Sequence, residues 1–243
     1  MRFYITPCFF AFLHLSFVPG SSFADPSQAL CLPPCRTLWS TDFSLLSSPV
    51  RGDLLAQGFT FEKDLQSESL IQLVVDKRGL TLTSFEQAFG LMLKRGLHIS
   101  GAQWLEIEWG VDAYPPEADW QNGKRYDPLM VVLFFGEPLP GKIPLLPDVP
   151  LFIGMFLGKN EPLLHPYAST SYPETGRYVC LDNPPPGLAV RSRIDIAAAF
   201  SRWFAGREMA PITGIAVEVD TGELPPGASS SAFIKSISLH TAE

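Results

Sequence analysis

Apolar and polar residues alternate most cleanly over residues 104–109, Trp-Leu-Glu-Ile-Glu-Trp. A period of two predicts a half-buried β-strand, with Leu105, Ile107 and Trp109 facing in and Trp104, Glu106 and Glu108 facing out. Residues 129–135 and 151–157 are apolar at nearly every position, the pattern of central strands covered on both faces. Shorter apolar or β-branched runs at 72–75, 80–83, 178–181, 215–219 and 233–239 predict further strands. Asp76-Lys-Arg-Gly79 reads as a turn between two of them. Residues 84–93 fit either a capped helix or a hairpin, and Gly90 with the short length favours the hairpin. Helical spacing is confined to residues 194–204, with Gly206 as the stop. About ten strands and one short helix make an all-β fold, an antiparallel β-sandwich of jelly-roll or galactose-binding-like kind.

Composition supports this reading. The 243 residues include 19 Gly and 23 Pro, which favours short strands and many turns over long helices. With 46% apolar and 18% charged residues the chain is not disordered. A formal charge of −7 argues against a nucleic-acid partner, because phosphate binding needs clustered Lys and Arg.

The chain starts with Met1-Arg2, an apolar run from 3 to 18, and small residues at Ser22 and Ala24. This predicts a signal peptide over 1–24 cleaved before Asp25. The run is too short, and too interrupted by Pro7, for a bilayer span, so no membrane insertion is expected after cleavage. The expected organisation is therefore a signal at 1–24, an irregular Pro-rich stretch at 25–38, and one β-sandwich domain over 39–243. Cys31, Cys35 and Cys180 remain in the exported chain, and an oxidising compartment predicts one disulfide among them. Cys31–Cys35 and Cys35–Cys180 are the pairings considered.

From Leu105 onward a set of landmarks appears in a fixed order. Ile107-Glu-Trp109 closes a strand, Ala118-Asp119 follows, and Tyr126-Asp127 precedes the run Met-Val-Val-Leu-Phe-Phe. Asp195 then precedes Phe200, Phe204 and Ala205-Gly206, and Val219-Asp220 ends a strand. In this order the segment resembles a bacterial family of exported proteins classed as a domain of unknown function. Two positions depart from the family pattern: Ile107 replaces a Trp and Gly222 replaces a second Asp. The resemblance implies a β-sandwich in the envelope of a Gram-negative bacterium, periplasmic or secreted, and no assigned activity.

Three sets of residues carry candidate chemistry. Glu106 and Glu108 sit two apart on one strand face, where paired carboxyl groups serve glycoside hydrolysis. Residues 105–112 are similar to the Glu-x-Asp-x-x-Glu strand of laminarinase-like jelly-roll hydrolases, with Glu108 in place of the Asp and the third acid one residue late, at Asp112. The loop 112–127 places Tyr114, Trp120 and Tyr126 among four carboxylates, a composition suited to stacking and hydrogen-bonding a sugar. The acids marked by the family resemblance, Asp127, Asp195 and Asp220, would suit a structural Ca²⁺ if they met in space; otherwise no cofactor is expected. The leading expectation is a non-catalytic binder of a carbohydrate-like or other small polar ligand, held by Trp104, Glu106, Glu108, Tyr114, Trp120 and Tyr126. The alternatives are a glycoside hydrolase or lyase using Glu106 and Glu108, and a structural or assembly protein of the cell envelope.

Overall fold

The computed structural model describes residues 35–140, 147–222 and 224–242. The expected signal peptide and Cys31 lie outside these residues. Thirteen strands are found among the described residues: β1 (Cys35–Asp42), β2 (Phe59–Lys63), β3 (Ile71–Asp76), β4 (Gly79–Ser84), β5 (Phe89–Ile99), β6 (Trp104–Ala113), β7 (Asp127–Leu139), β8 (Val149–Leu157), β9 (Pro166–Ala168), β10 (Gly176–Asp182), β11 (Ala189–Asp195), β12 (Ile212–Asp220) and β13 (Ser230–Ala242). Two short helices join them, α1 (Val50–Ala56) and α2 (Ile196–Trp203).

The strands form two sheets. The six-stranded sheet runs β11-β6-β13-β4-β3, with β1 beside β13. One edge of the long β13 pairs with β6, while its other edge pairs first with β4 and then with β1. The seven-stranded sheet runs β2-β5-β12-β7-β8-β10-β9. All pairs are antiparallel except β8 with β10. Alternate residues of both sheets face one another: Leu105, Ile107, Trp109, Ile234 and Ile237 from the first pack with Met92, Leu129, Val131, Ile153 and Val217 from the second. This is the β-sandwich expected from the strand patterns. Trp109 is fully buried, and its indole N–H donates to Ser192 Oγ at 2.7 Å.

Several local expectations are corrected. Residues 84–93 form neither a hairpin nor a helix. β4 ends at Ser84 with both edges taken by β3 and β13, so the chain crosses to the other sheet, where β5 finds β2 and β12. Ser84 Oγ donates to the carbonyl of Glu86 at 2.6 Å and bonds Thr221 Oγ1 at 2.9 Å, which pins the crossing. The first strand starts at Cys35, inside the stretch expected to be irregular. Cys180 is a buried free thiol, so the Cys35–Cys180 staple does not form; burial pushes that thiol up to about 12.

Helix α2 follows its sequence signals. Asp195 caps it, accepting from the backbone N–H of Ala198 at 2.8 Å, and Ile196, Ala199 and Phe200 turn inward. Asp195→Ala removes this cap and is expected to cost about 1 kcal/mol, a melting shift of roughly 2–4 °C in a domain of this size. A thermal melt with no shift would contradict a capping role.

Candidate functional site

Strand β6 presents its outer face as the alternation predicts: Trp104, Glu106 and Glu108 are partly exposed while Leu105, Ile107 and Trp109 are buried. That face is occupied by charge pairing from its neighbours. The Arg193 guanidinium lies 4.1 Å from the centre of the Trp104 ring. Glu108 meets Lys235 at 2.8 Å and Arg191 at 3.1 Å, and Arg191 also reaches Glu106 at 3.6 Å. Desolvation alone would raise the Glu108 carboxyl, but the hydrogen bonds from Lys235 and Arg191 hold it below the usual range. It therefore carries no proton to donate at neutral pH. Asp112, the third acid of the hydrolase-like strand, is clasped by Arg78 at 2.8 and 3.1 Å.

The loop after β6 distributes its aromatics among different surroundings. Tyr114 packs against the core between the sheets and donates its hydroxyl to the carbonyl of Pro184 at 2.8 Å. Tyr126 is buried. Trp120 lies on the outer face of the seven-stranded sheet, stacked on Phe156 at 4.1 Å and edge-on to Tyr178 at 5.3 Å. It is 3% exposed, so its ring serves as a wall rather than an open platform. Two of the loop's acids are satisfied locally, Glu117 by Lys124 and Asp119 by Asn122 at 2.7 Å.

β7 and β8 are covered on both faces, as their apolar runs predict: Leu129 to Leu133 and Leu151 to Leu157 are buried throughout. One face meets the other sheet. The other carries Met130, Val132, Phe152 and Phe156, which with Trp120, Tyr167 and Cys180 form a second apolar cluster. Strand register sets out this face in rows. Arg95, Gly214, Phe134, Phe152 and Gly176 form one row, and Leu93, Ala216, Val132, Gly154 and Tyr178 the next. Small residues at 214, 216 and 154 lower the floor between the aromatic rings. A Cβ at Gly154 would fall 2.7 Å from Cδ1 of Tyr178, so only glycine lets that ring cross β8. The result is a groove of about 840 Å³, with Phe89, Phe134, Tyr172 and Tyr178 partly exposed along it. Pockets of this size and mixed lining are typical of small-molecule sites.

One end of the groove is acidic. Asp220 on β12 stands opposite Asp127 on β7, and Glu218 projects from the same face of β12 two residues earlier. Asp220 accepts from the backbone N–H of Gly222 at 3.0 Å. Asp127 is 1% exposed, and neither of its carboxyl oxygens has a hydrogen-bond partner. Burial first, then the neighbouring Glu218 and Asp220, push Asp127 well above the ordinary carboxylate range. Loss of hydration, then Asp220, push Glu218 up to about 8. A carboxylic acid at that value is largely protonated at neutral pH.

Asp127 and Asp220 thus meet, whereas Asp195 does not join them. It ends β11 on the other sheet, opposite Trp104, and caps α2. The three therefore do not assemble a Ca²⁺ site, because their strands belong to different layers of the sandwich. Among the described residues no group of three or more His, Cys, Asp or Glu side chains is placed to hold a metal ion.

Of the residues first expected to bind a ligand, Trp120 alone lines this groove, while Trp104, Glu106 and Glu108 share the opposite face of the molecule. Glu218, Phe89, Phe134, Phe152 and Tyr178 were not singled out. A signal for Glu218 existed: Ala216, Glu218 and Asp220 alternate with Ile215, Val217 and Val219, the same outward acid pair that drew notice to Glu106 and Glu108.

Comparison with models of known protein families finds no match, and none of the curated proteins matches. Among solved structures the chain is similar to the K1 cleaved adhesin domain of Lys-gingipain from Porphyromonas gingivalis W83, at 6% identity. That likeness covers 84% of this chain and 98% of the other, with a TM-score of 0.38. Endoglucanase 3 of Trichoderma harzianum is similar at 7% identity over 74% of this chain and 96% of the other, with a TM-score of 0.34. Likeness at this level assigns neither a family nor a function. No helix among the described residues is long and apolar enough to cross a membrane.

Proposed function

We propose that this is an exported β-sandwich protein, periplasmic or secreted, that binds a carbohydrate-like ligand in the outer groove of its seven-stranded sheet. The observation that carries the reading is the line of partly exposed rings, Phe89, Phe134, Tyr172 and Tyr178, over a floor of glycine and alanine with carboxyl groups at one end. Sugar C–H faces stack on flat aromatic rings, and their hydroxyls need acceptors; the groove supplies both. The site moves from the Trp104 face, where cations already occupy the indole and the acids.

Thermal melts against a panel of neutral oligosaccharides test this. A ligand at 100 times its Kd stabilises by about 2.7 kcal/mol, a rise of roughly 5–10 °C here. The rise is expected to vanish in Tyr178→Ala and Phe134→Ala and to persist in Trp104→Ala. No rise with any sugar, or a rise lost only in Trp104→Ala, overturns the groove as the site.

One observation favours a second reading. Glu218 holds a proton at neutral pH beside two further acids, which is what a general acid in glycoside hydrolysis requires. The hydrolase alternative would then use Glu218 rather than Glu106 and Glu108. Release of shorter sugars from the same panel, abolished by Glu218→Gln, would select it.

A further inference from the structure

The aromatic floor explains why a sugar ring would settle in the groove, but not why three carboxyl groups gather at one end. Two carboxyl groups directly opposite on paired strands repel if both ionise, and Asp127 and Asp220 hold that arrangement. Burying a carboxyl group without a donor costs free energy as well, and Asp127 is buried with both oxygens unpartnered. The basic side chains that line the groove have other engagements or lie at its rim. Arg95 of β5 pairs with Glu62 of β2 at 2.6 Å, and Arg125 donates to the carbonyl of Ala168 at 2.7 Å. Lys63 of β2 is exposed.

We propose that Asp127, Glu218 and Asp220 receive an ammonium group, so that the ligand of the groove is an amine-bearing molecule of amino-sugar type. The inference rests on the binding function proposed above and names the ligand class for the same groove. Asp127 and Asp220 stand opposite each other on β7 and β12 with Glu218 two residues earlier along the same groove, and an ammonium presents three donors on one side. Its charge relieves the repulsion that keeps the three acids from ionising together. Tyr178 of β10 lies close enough to feel all three carboxyl groups, and its ring, with that of Phe89 opposite Asp220, adds cation–π attraction. A divalent metal fits less well. Ca²⁺ takes six to eight oxygens around it, and among the described residues no side-chain group offers a metal site.

Calorimetry on the full exported chain tests the proposal with three ligands of equal length: glucosamine oligomers, their N-acetylated counterparts and cello-oligosaccharides. Charge-assisted hydrogen bonds predict binding of the free amine about tenfold or more tighter than either neutral ligand. Glu218→Gln and Asp127→Asn are each expected to reduce that affinity to the neutral level, and Trp104→Ala to leave the preference intact. If Asp127→Asn fails to fold, Glu218→Gln alone decides. Equal affinity for all three ligands overturns the ammonium site and leaves the sugar groove standing. No binding by any of them overturns both. Tight binding of Ca²⁺ lost in Glu218→Gln, without amine preference, overturns the ammonium in favour of a metal.

Discussion

Glu218→Gln flattens the pH dependence of stability between about pH 4.5 and 8.5 and leaves the variant more stable than the parent at the alkaline end. Glu218 is raised from the ordinary 4.5 to about 8 by lost hydration and by Asp220. Between those values the folded chain holds a proton that the unfolded chain has released. Stability is therefore complete below about 4.5 and falls as pH rises through 8. At 1.36 kcal/mol per unit the ceiling on the loss is about 5 kcal/mol. Asp127, raised by burial first, acts in the same direction. Glu117 and Asp119 are both lowered by hydrogen bonds, from Lys124 and Asn122 respectively, and lose their contribution only as pH falls below the ordinary carboxylate range. The two groups of acids therefore act in separate windows. Urea melts of parent and Glu218→Gln at pH 5, 7 and 8.5 check this. Parallel curves at the three values would show that Glu218 titrates normally and that the acid end is open to water.

Trp109→Ala is expected to cost about 3–5 kcal/mol and to lower the melting temperature by roughly 10 °C. The side chain is fully buried between the sheets, so truncation removes a large apolar contact and leaves a cavity. It also ends the hydrogen bond into Ser192, whose hydroxyl donates in turn to Asp182. Trp109→Phe keeps most of the packed volume and separates the two contributions. It is expected to recover more than half of the loss, the remainder being the indole bond at about 1 kcal/mol. Because Trp109 faces away from the groove, sugar binding per folded molecule should be unchanged in both variants. A Trp109→Ala melt within about 2 °C of the parent would contradict its place at the centre of the core.

Local pattern and tertiary arrangement contributed differently. The alternation across 104–109 placed Leu105, Ile107 and Trp109 inside without reference to any other segment, because strand geometry alone sends neighbouring side chains to opposite faces. The turn at Asp76–Gly79 and the short helix before Gly206 were also legible, since turn and helix-stop chemistry act over a few residues. The segment 84–93 was not, because its fate depends on which strand edges elsewhere are still open. Strand β11 was not legible either: its Arg191 pairs with Glu106 and Glu108 of β6 and its Arg193 covers Trp104, so it reads as polar until β6 lies beside it.

The candidate site shows the same division. Trp104, Glu106 and Glu108 do share one outer face, and Asp127 and Asp220 do meet, but charge pairing from β11 and β13 fills the first set and sheet pairing alone assembles the second. The amino-acid sequence by itself determined an all-β sandwich, the inner face of β6 and the short helix that stops before Gly206, all consequences of residues a few positions apart. Only the tertiary structure decided that a groove lies over the outer side of the seven-stranded sheet and that Glu218 joins Asp127 there. Such features arise from pairings between distant segments, and the loss of hydration that alters an acid exists only once those segments have closed around it.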